Sequence, residues 1–295
     1  MDNYLFRRLK GVPKSRVYRI LRKGEVRVNK GRIKPEYRLC AGDVVRIPPL
    51  EMAEPTAVHR PSDQSMAELS QSVIFEDDRL LVLNKPSGIA VHGGSGLSYG
   101  VIEALRYTRT DLRYLELIHR LDRETSGCLL IAKKRSALRQ IHELFRNGGI
   151  EKHYQTLVLG HWPSGSRKIE FPLKKREVEG GGRVVVVDPS GKSAASIFTP
   201  SEHYEDYTLM AVRLLTGRTH QIRVHAAHSG FPIAGDDSYG DRQQNSEMKK
   251  LGLKRLFLHC QRMAFTLPDE SEKRVFETPL SHPLQQVLKK IAVGK

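Results

Sequence analysis

From Val73 onward the chain interleaves strand-like and helix-like segments without regular alternation. VIFED and LLVLNKP read as two strands split by a turn at Asp77-Asp78, and YQTLVLG, RVVVVD, ASIFT and TLMAVRLLT read as further strands. SYGVIEALRY, SALRQIHELFRNG and the closing HPLQQVLKKIA read as helices, as does HQIRVHAAHSG with Ile222 and Val224 partly buried. Strands outnumber helices. A doubly wound nucleotide-binding sheet needs strand and helix in turn, so this order argues instead for an α+β fold with a mixed, mainly antiparallel sheet.

The first fifty residues have a different character. They hold 14 Lys plus Arg against four Asp plus Glu, a net of +10, whereas the other 245 residues supply only +6 of the total +16. Tyr4, Leu5 and Leu9 can share one face of a short helix. Pro13 then opens a second helix, KSRVYRILRKG, with Val17, Ile20 and Leu21 as its apolar stripe and Gly24 as its C-cap. EVRVNKGRI alternates like a strand with a turn at Asn29-Lys30-Gly31, and VVRIP at 44–48 reads as a second short strand. One charged helix face is usually just a solvated face. Fourteen cations with so few balancing anions favour a polyanionic partner, nucleic acid first and an anionic membrane surface second. Residues 51–72, rich in Pro, Ser, Ala and acid, read as a linker with a short helix near its end, leaving 73–295 as the larger module.

Several classes are excluded by missing motifs. The first glycine of a Walker A pattern ending at GKS, 191–193, would fall on Val186, and no G-x-G-x-x-G occurs. His220, His225 and His228 fit no zinc spacing, and their neighbours Arg218 and Arg223 repel a cation, so no metal is expected. The three cysteines, Cys40, Cys128 and Cys260, make no metal pair or disulfide framework and are expected to be reduced and mostly buried. The N-terminus has basic residues but no apolar core of a secretory signal, and no run approaches ~18 apolar residues. A cytoplasmic location without a membrane is the expectation.

The most chemically suggestive stretch is HRLDRETSG, 119–127, set between two apolar runs and expected to be a loop at a sheet edge. Arg120 and Arg123 flank Asp122. Neighbouring cations lower a carboxylate pKa by ~1–3 units, so Asp122 is expected to be ionised at neutral pH, suited to nucleophile or base rather than acid. Alone, the segment could equally be a salt-bridged turn. Three more polar clusters accompany it: NKPSGIAVH at 84–92, EKHYQ at 151–155 with Tyr154 starting a strand, and TGRTHQIRVH at 216–225.

These four clusters resemble the motifs of the RluA-type RNA pseudouridine synthases, and residues 2–48, above all GVPKSRVYRILRKGEVRVNKGR, resemble the S4 RNA-binding domain. The resemblance implies a pseudouridine synthase fold preceded by a small S4-like αβ domain, and a cofactor-free isomerisation of uridine. It assigns the catalytic aspartate to Asp122, with Arg223 holding it, preferably by a bidentate bond. It assigns to Tyr154 packing on the base and help in removing the C5 proton, for which the weakly basic hydroxyl needs its surroundings. Arg120 falls on the arginine that displaces the target base. Lys14, Arg16, Arg19, Arg22, Lys23, Arg27, Lys30 and Arg32 become the RNA-binding candidates. The implied partner is 23S ribosomal RNA or an assembling large subunit, acted on by a monomer. A tRNA-directed enzyme and a non-catalytic ribosome-assembly factor are the alternatives. Cys260 and Ser196 stand where the family commonly has alanine and threonine.

Overall fold

The computed structural model describes residues 1–9, 12, 14–49, 62–94, 99–177 and 183–293, which divide into two compact units, Met1–His59 and Arg60–Lys295. Pro13, most of the expected linker and the Lys14 side chain lie outside the described residues.

The smaller unit runs α1 (Asp2–Arg8), α2 (Lys14–Arg22), β1 (Arg27–Val28), β2 (Gly31–Arg32) and β3 (Val45–Arg46), the strands pairing antiparallel in the order β2-β1-β3. Its core is Leu5, Val17, Ile20, Leu21, Val26 and Val28, so the expected stripe of α2 points inward. Gly24 ends α2 at φ +69, and Asn29 and Lys30 turn the chain at φ 48 and 68. Arg16, Arg19, Arg22, Lys23, Lys30 and Arg32 are exposed. Tyr4 is exposed rather than part of the buried face: Leu5 is the buried residue of α1, and Phe6 packs half-buried against the same core.

The larger unit continues with α3 (Asp63–Gln71), β4 (Val73–Glu76), β5 (Leu80–Lys85), α4 (Val101–Thr108), β6 (Glu116–Leu117), β7 (Ser126–Ala132), α5 (Arg135–Arg146) and β8 (Glu151–Leu159). There follow β9 (Arg167–Glu170), β10 (Leu173–Glu177), β11 (Arg183–Val187), β12 (Ala195–His203), β13 (Tyr207–Leu214), α6 (Gln221–His228), α7 (Arg242–Lys250), β14 (Leu258–Phe265), β15 (Arg274–Glu277) and α8 (His282–Val293). The main sheet orders β4-β5-β7-β14-β8-β13-β12-β9, with β6 added at β7 and β15 at β14. Among the described residues only β7 and β14 pair parallel, so the α+β reading with a mainly antiparallel sheet holds. Every residue of β7 is buried, which explains its unbroken apolar run: an internal strand covered on both faces has no polar side to show. HRLDRETSG is thus the lead-in to a central strand, not an edge.

One row of the sheet positions the chemistry. Lys85 on β5 pairs with Gly127 on β7, Gly127 with Cys260 on β14, Cys260 with Tyr154 on β8, and Tyr154 with Val212 on β13. The row needs a glycine. Gly127 has φ +110, and a Cβ there would lie 2.2 Å from the Cys260 carbonyl oxygen. Cys128 and Cys260 are buried as expected, but Cys40 is exposed because it sits in the small unit's turn-rich segment before β3. Among the described residues no helix is long and apolar enough to cross a membrane.

Candidate active site

The loop between β6 and β7 is held largely by its backbone. Lys85, fully buried, donates to three carbonyls, Pro86 at 2.8 Å, Ile89 at 2.9 Å and Arg123 at 3.1 Å. Ser87 Oγ donates to the Glu124 carbonyl at 2.8 Å, and Arg255 reaches the same carbonyl at 3.3 Å and Ser126 Oγ at 2.9 Å. The Gly88 N–H donates to the Arg123 carbonyl at 2.9 Å, and Arg123 Nε returns a bond to the Gly88 carbonyl at 2.9 Å. Burial, with Arg255 nearby, pushes the Lys85 amine down to about 7; burial also pushes the Arg255 guanidinium down to about 10. The NKPSG cluster therefore acts as a clamp under HRLDRETSG.

On this clamped loop the Asp122 side chain is 30% exposed, so solvent and a ligand can reach it. Its carboxylate makes no hydrogen bond among the described residues. Two donors face the same oxygen, Oδ2, from just outside bonding range: Arg223 Nη1 at 4.0 Å and His220 Nε2 at 3.9 Å. Oδ1 is left open. Arg120 is exposed, with no ion pair among the described residues.

Arg223 does not hold Asp122 by a bidentate bond. Its fork goes to Asp236, from Nε to Oδ2 and from Nη2 to Oδ1, each at 2.7 Å. The reason is enclosure: the Asp236 side chain is fully buried on the turn after α6, and Oδ1 also accepts the N–H groups of Ser238 at 2.9 Å and Tyr239 at 3.0 Å. Burial raises the Asp236 pKa, but the Arg223 hydrogen bonds and charge outweigh it and the net direction is down. For Arg223 burial works downward and Asp236 more than reverses it. The Arg223 guanidinium lies over the Tyr239 ring, 5.0 Å from its centroid. Arg223 is thus fixed before any substrate arrives and offers Asp122 only its remaining nitrogen.

Tyr154 is buried in mid-strand rather than starting β8, which begins at Glu151. Burial drives its pKa well above the ordinary value, and the neighbouring Cys260 and Asp122 push the same way. Those surroundings favour the neutral phenol over the phenolate. Its strand neighbour Lys152 sits 5.7 Å from the Phe145 ring centroid. The three histidines do not converge: His225 bonds Ser196 Oγ and the Phe171 carbonyl, His228 packs edge-on to Phe171, and His220 stands by Asp122.

The comparisons with known proteins bear directly on this arrangement. The pattern of the RNA pseudouridylate synthase family matches residues 79–228, and that of the S4 domain matches residues 1–45. The chain belongs to the RNA pseudouridylate synthase family. Like other members it is an isomerase, an RNA pseudouridine synthase, with an S4 domain at its N-terminal end. Relatives called ribosomal large subunit pseudouridine synthase C are 54% identical in Pasteurella multocida, over 98% of this chain and 89% of the relative, and 52% identical in Escherichia coli, over 99% and 92%. The solved human RNA pseudouridylate synthase domain containing 4 is similar at 26% identity and TM-score 0.63, covering 78% of this chain and 96% of that one. Human RNA pseudouridylate synthase domain containing 1 shares the fold at TM-score 0.59.

Sequence reasoning missed Asp236, Lys85 and Arg255 as parts of this synthase site. A lysine ending the apolar run LLVLN was the readable signal for Lys85, since a lone cation there must find carbonyls or an acid. For Asp236 the Asp236-Asp237 pair was visible, but which of the two is buried was not.

Proposed function

We propose that this synthase isomerises uridines of large-subunit (23S) ribosomal RNA, with Asp122 as the residue that acts on the ribose. The relatives named for the ribosomal large subunit support the substrate class. The observation carrying the site assignment is the unbonded, accessible Asp122 carboxylate beside a pre-fixed Arg223. An isomerase of this kind breaks the N1–C1′ bond, turns the base and joins C1′ to C5; the C5 proton leaves and N1 is protonated in exchange. Attack of Asp122 on C1′ and abstraction at C2′ both need an open carboxylate oxygen, which Oδ1 supplies. A target base inside folded RNA must be extruded, at a few kcal/mol of unstacking, and the exposed Arg120 guanidinium is suited to occupy the vacated stack. Tyr154 packs against the reacting base. The enzyme works as a cytoplasmic monomer without metal or cofactor, on naked rRNA or an assembling subunit.

The exposed cations of α2 and the β1–β2 turn support reading the S4 unit, residues 1–50, as the RNA-gripping module, with 51–72 as the linker and 73–295 as the catalytic module. Arg135, Arg139 and Arg146 on α5 add a further cationic groove with Tyr114. Each phosphate contact steepens log K against log salt by ~0.7–0.9. If about five S4 cations touch phosphates, deleting residues 1–50 flattens that slope by about four. The deciding experiment maps pseudouridines in rRNA and tRNA after loss of the gene. Sites vanish from large-subunit rRNA and return with the wild-type gene but not with Asp122→Asn. Loss confined to tRNA, or return with Asp122→Asn, refutes the assignment.

A further inference from the structure

His220 stands at the N-cap of α6 with φ 53 and ψ 20, a left-handed conformation that residues carrying a Cβ rarely adopt. A strained backbone kept by its surroundings points to a local task. The strain sets the imidazole between Tyr239 and Asp122. Nδ1 is 2.8 Å from the Tyr239 hydroxyl, and that hydroxyl accepts the Val185 N–H at 2.9 Å. Its own proton then has one acceptor in reach among the described residues, Nδ1. A neutral ring that accepts at Nδ1 carries its proton on Nε2, the atom 3.9 Å from Asp122 Oδ2. The hydrogen-bond chain thus assigns the tautomer, from Val185 through Tyr239 and His220 to the carboxylate.

The charged groups around the ring come from four elements: Asp122 on the 119–125 loop, Arg223 on α6, Asp236 on the following turn and Lys175 on β10. Burial lowers the imidazole pKa from its ordinary 6.5; Asp122 and Asp236 pull it up, Arg223 and Lys175 pull it down, and the balance is downward. The ring is therefore neutral at pH 7.

We propose that His220 is a positioning residue for Asp122: locked in its Nε2–H tautomer by Tyr239, it steadies Oδ2 with an uncharged donor and leaves Oδ1 to the ribose. This rests on the reading of Asp122 as the residue that acts on the ribose. Arg223 already supplies one cation beside Oδ2. A second would hold the carboxylate too tightly, whereas a neutral N–H orients it at less cost to its reactivity. The 3.9 Å gap shortens to a hydrogen bond as RNA binds.

The test uses the full-length enzyme on ribosomal RNA from cells lacking it. Nitrogen-15 NMR of labelled histidine reads the tautomer: a neutral ring with bare Nδ1 is expected at pH 7.5, and a proton on Nδ1 overturns the proposal. Single-turnover rates and RNA Kd are then measured for His220→Gly, which tolerates the left-handed backbone, and for Tyr239→Phe. His220→Gly is expected to slow pseudouridine formation about 10- to 100-fold with Kd and Tm unchanged, as for other groups that orient a reacting side chain. Wild-type rates fall as pH drops through the His220 pKa, below 6.5. That acid limb disappears in His220→Gly. It moves to higher pH in Tyr239→Phe, where Nδ1 has lost its donor. Wild-type rates in His220→Gly, a loss residing wholly in Kd, or an unmoved limb in Tyr239→Phe each overturn it. Absence of product from wild-type enzyme would instead indict the substrate reading, and product from Asp122→Asn at the wild-type rate the role of Asp122.

Discussion

Two aspartates share one arginine in this enzyme, and they are opposites. Asp236 is sealed, accepts two nitrogens of Arg223 and two backbone N–H groups, and has no valence left for chemistry. The Asp122 carboxylate faces the third nitrogen of the same arginine at 4.0 Å, makes no hydrogen bond among the described residues and is 30% exposed. Enclosure separates the roles. The buried carboxylate spends its interactions on fixing a cation; the open one keeps its lone pairs and borrows the field of that cation. A carboxylate cannot be both the anchor of an arginine and a free reactant.

The largest effect is expected from Asp236→Ala. It leaves Arg223 buried without its partner, which typically costs about 3–5 kcal/mol. Chemical denaturation of the variant reads that loss directly. Arg223 is then free to close on Asp122, so pseudouridine formation falls even at temperatures where the variant stays folded. A stable, fully active Asp236→Ala enzyme would erase the distinction between the two carboxylates.

Next in size is the clamp beneath the open aspartate. Lys85→Met takes the amine from three carbonyls and orphans those of Pro86 and Ile89, while that of Arg123 keeps the Gly88 N–H; a loss of about 3 kcal/mol is expected, since each buried unsatisfied group costs about 1–3 kcal/mol and water recovers part. Hydrogen exchange should speed up at Gly88, whose N–H bonds the Arg123 carbonyl, more than in α8. The smallest effect is in pH. Asp236 has a folded pKa below its ordinary 3.8, so it binds fewer protons folded than unfolded in that range. Its stabilisation is fully present above 3.8 and is lost as pH falls through the lower folded value. Acid titration of stability should therefore be shallower in Asp236→Asn than in wild type between 3.8 and the lower folded pKa, whereas equal slopes would argue that the pair contributes nothing.

The open half of the comparison was the legible half. HRLDRETSG carries charge where apolar periodicity stops, and the apolar run after it became the central strand β7. The closed half was hidden, because Asp236 and Asp237 are the same letter and only packing tells the sealed one from the exposed one. Much of the sheet was readable from β-branched runs, but β14 was not: LHCQRMAF mixes polar and apolar residues, and its parallel partner β7 lies some 130 residues earlier. β9, RKIE, is too short and polar to signal a strand, and α7, RQQNSEMKK, buries only Asn245 and Met248, which leaves no stripe to read. Tyr154 was legible as a strand tyrosine, but no spacing reveals that its ring will be sealed beside a thiol.

Asp122→Asn tests the central claim most directly, with melting temperature, RNA affinity and pseudouridine yield measured on one preparation. An open carboxylate that reacts rather than binds predicts unchanged melting, RNA bound at wild-type affinity and no carbodiimide-detectable product. Product at the wild-type rate would contradict it, as would a collapse in stability, which would make Asp122 a second anchor like Asp236.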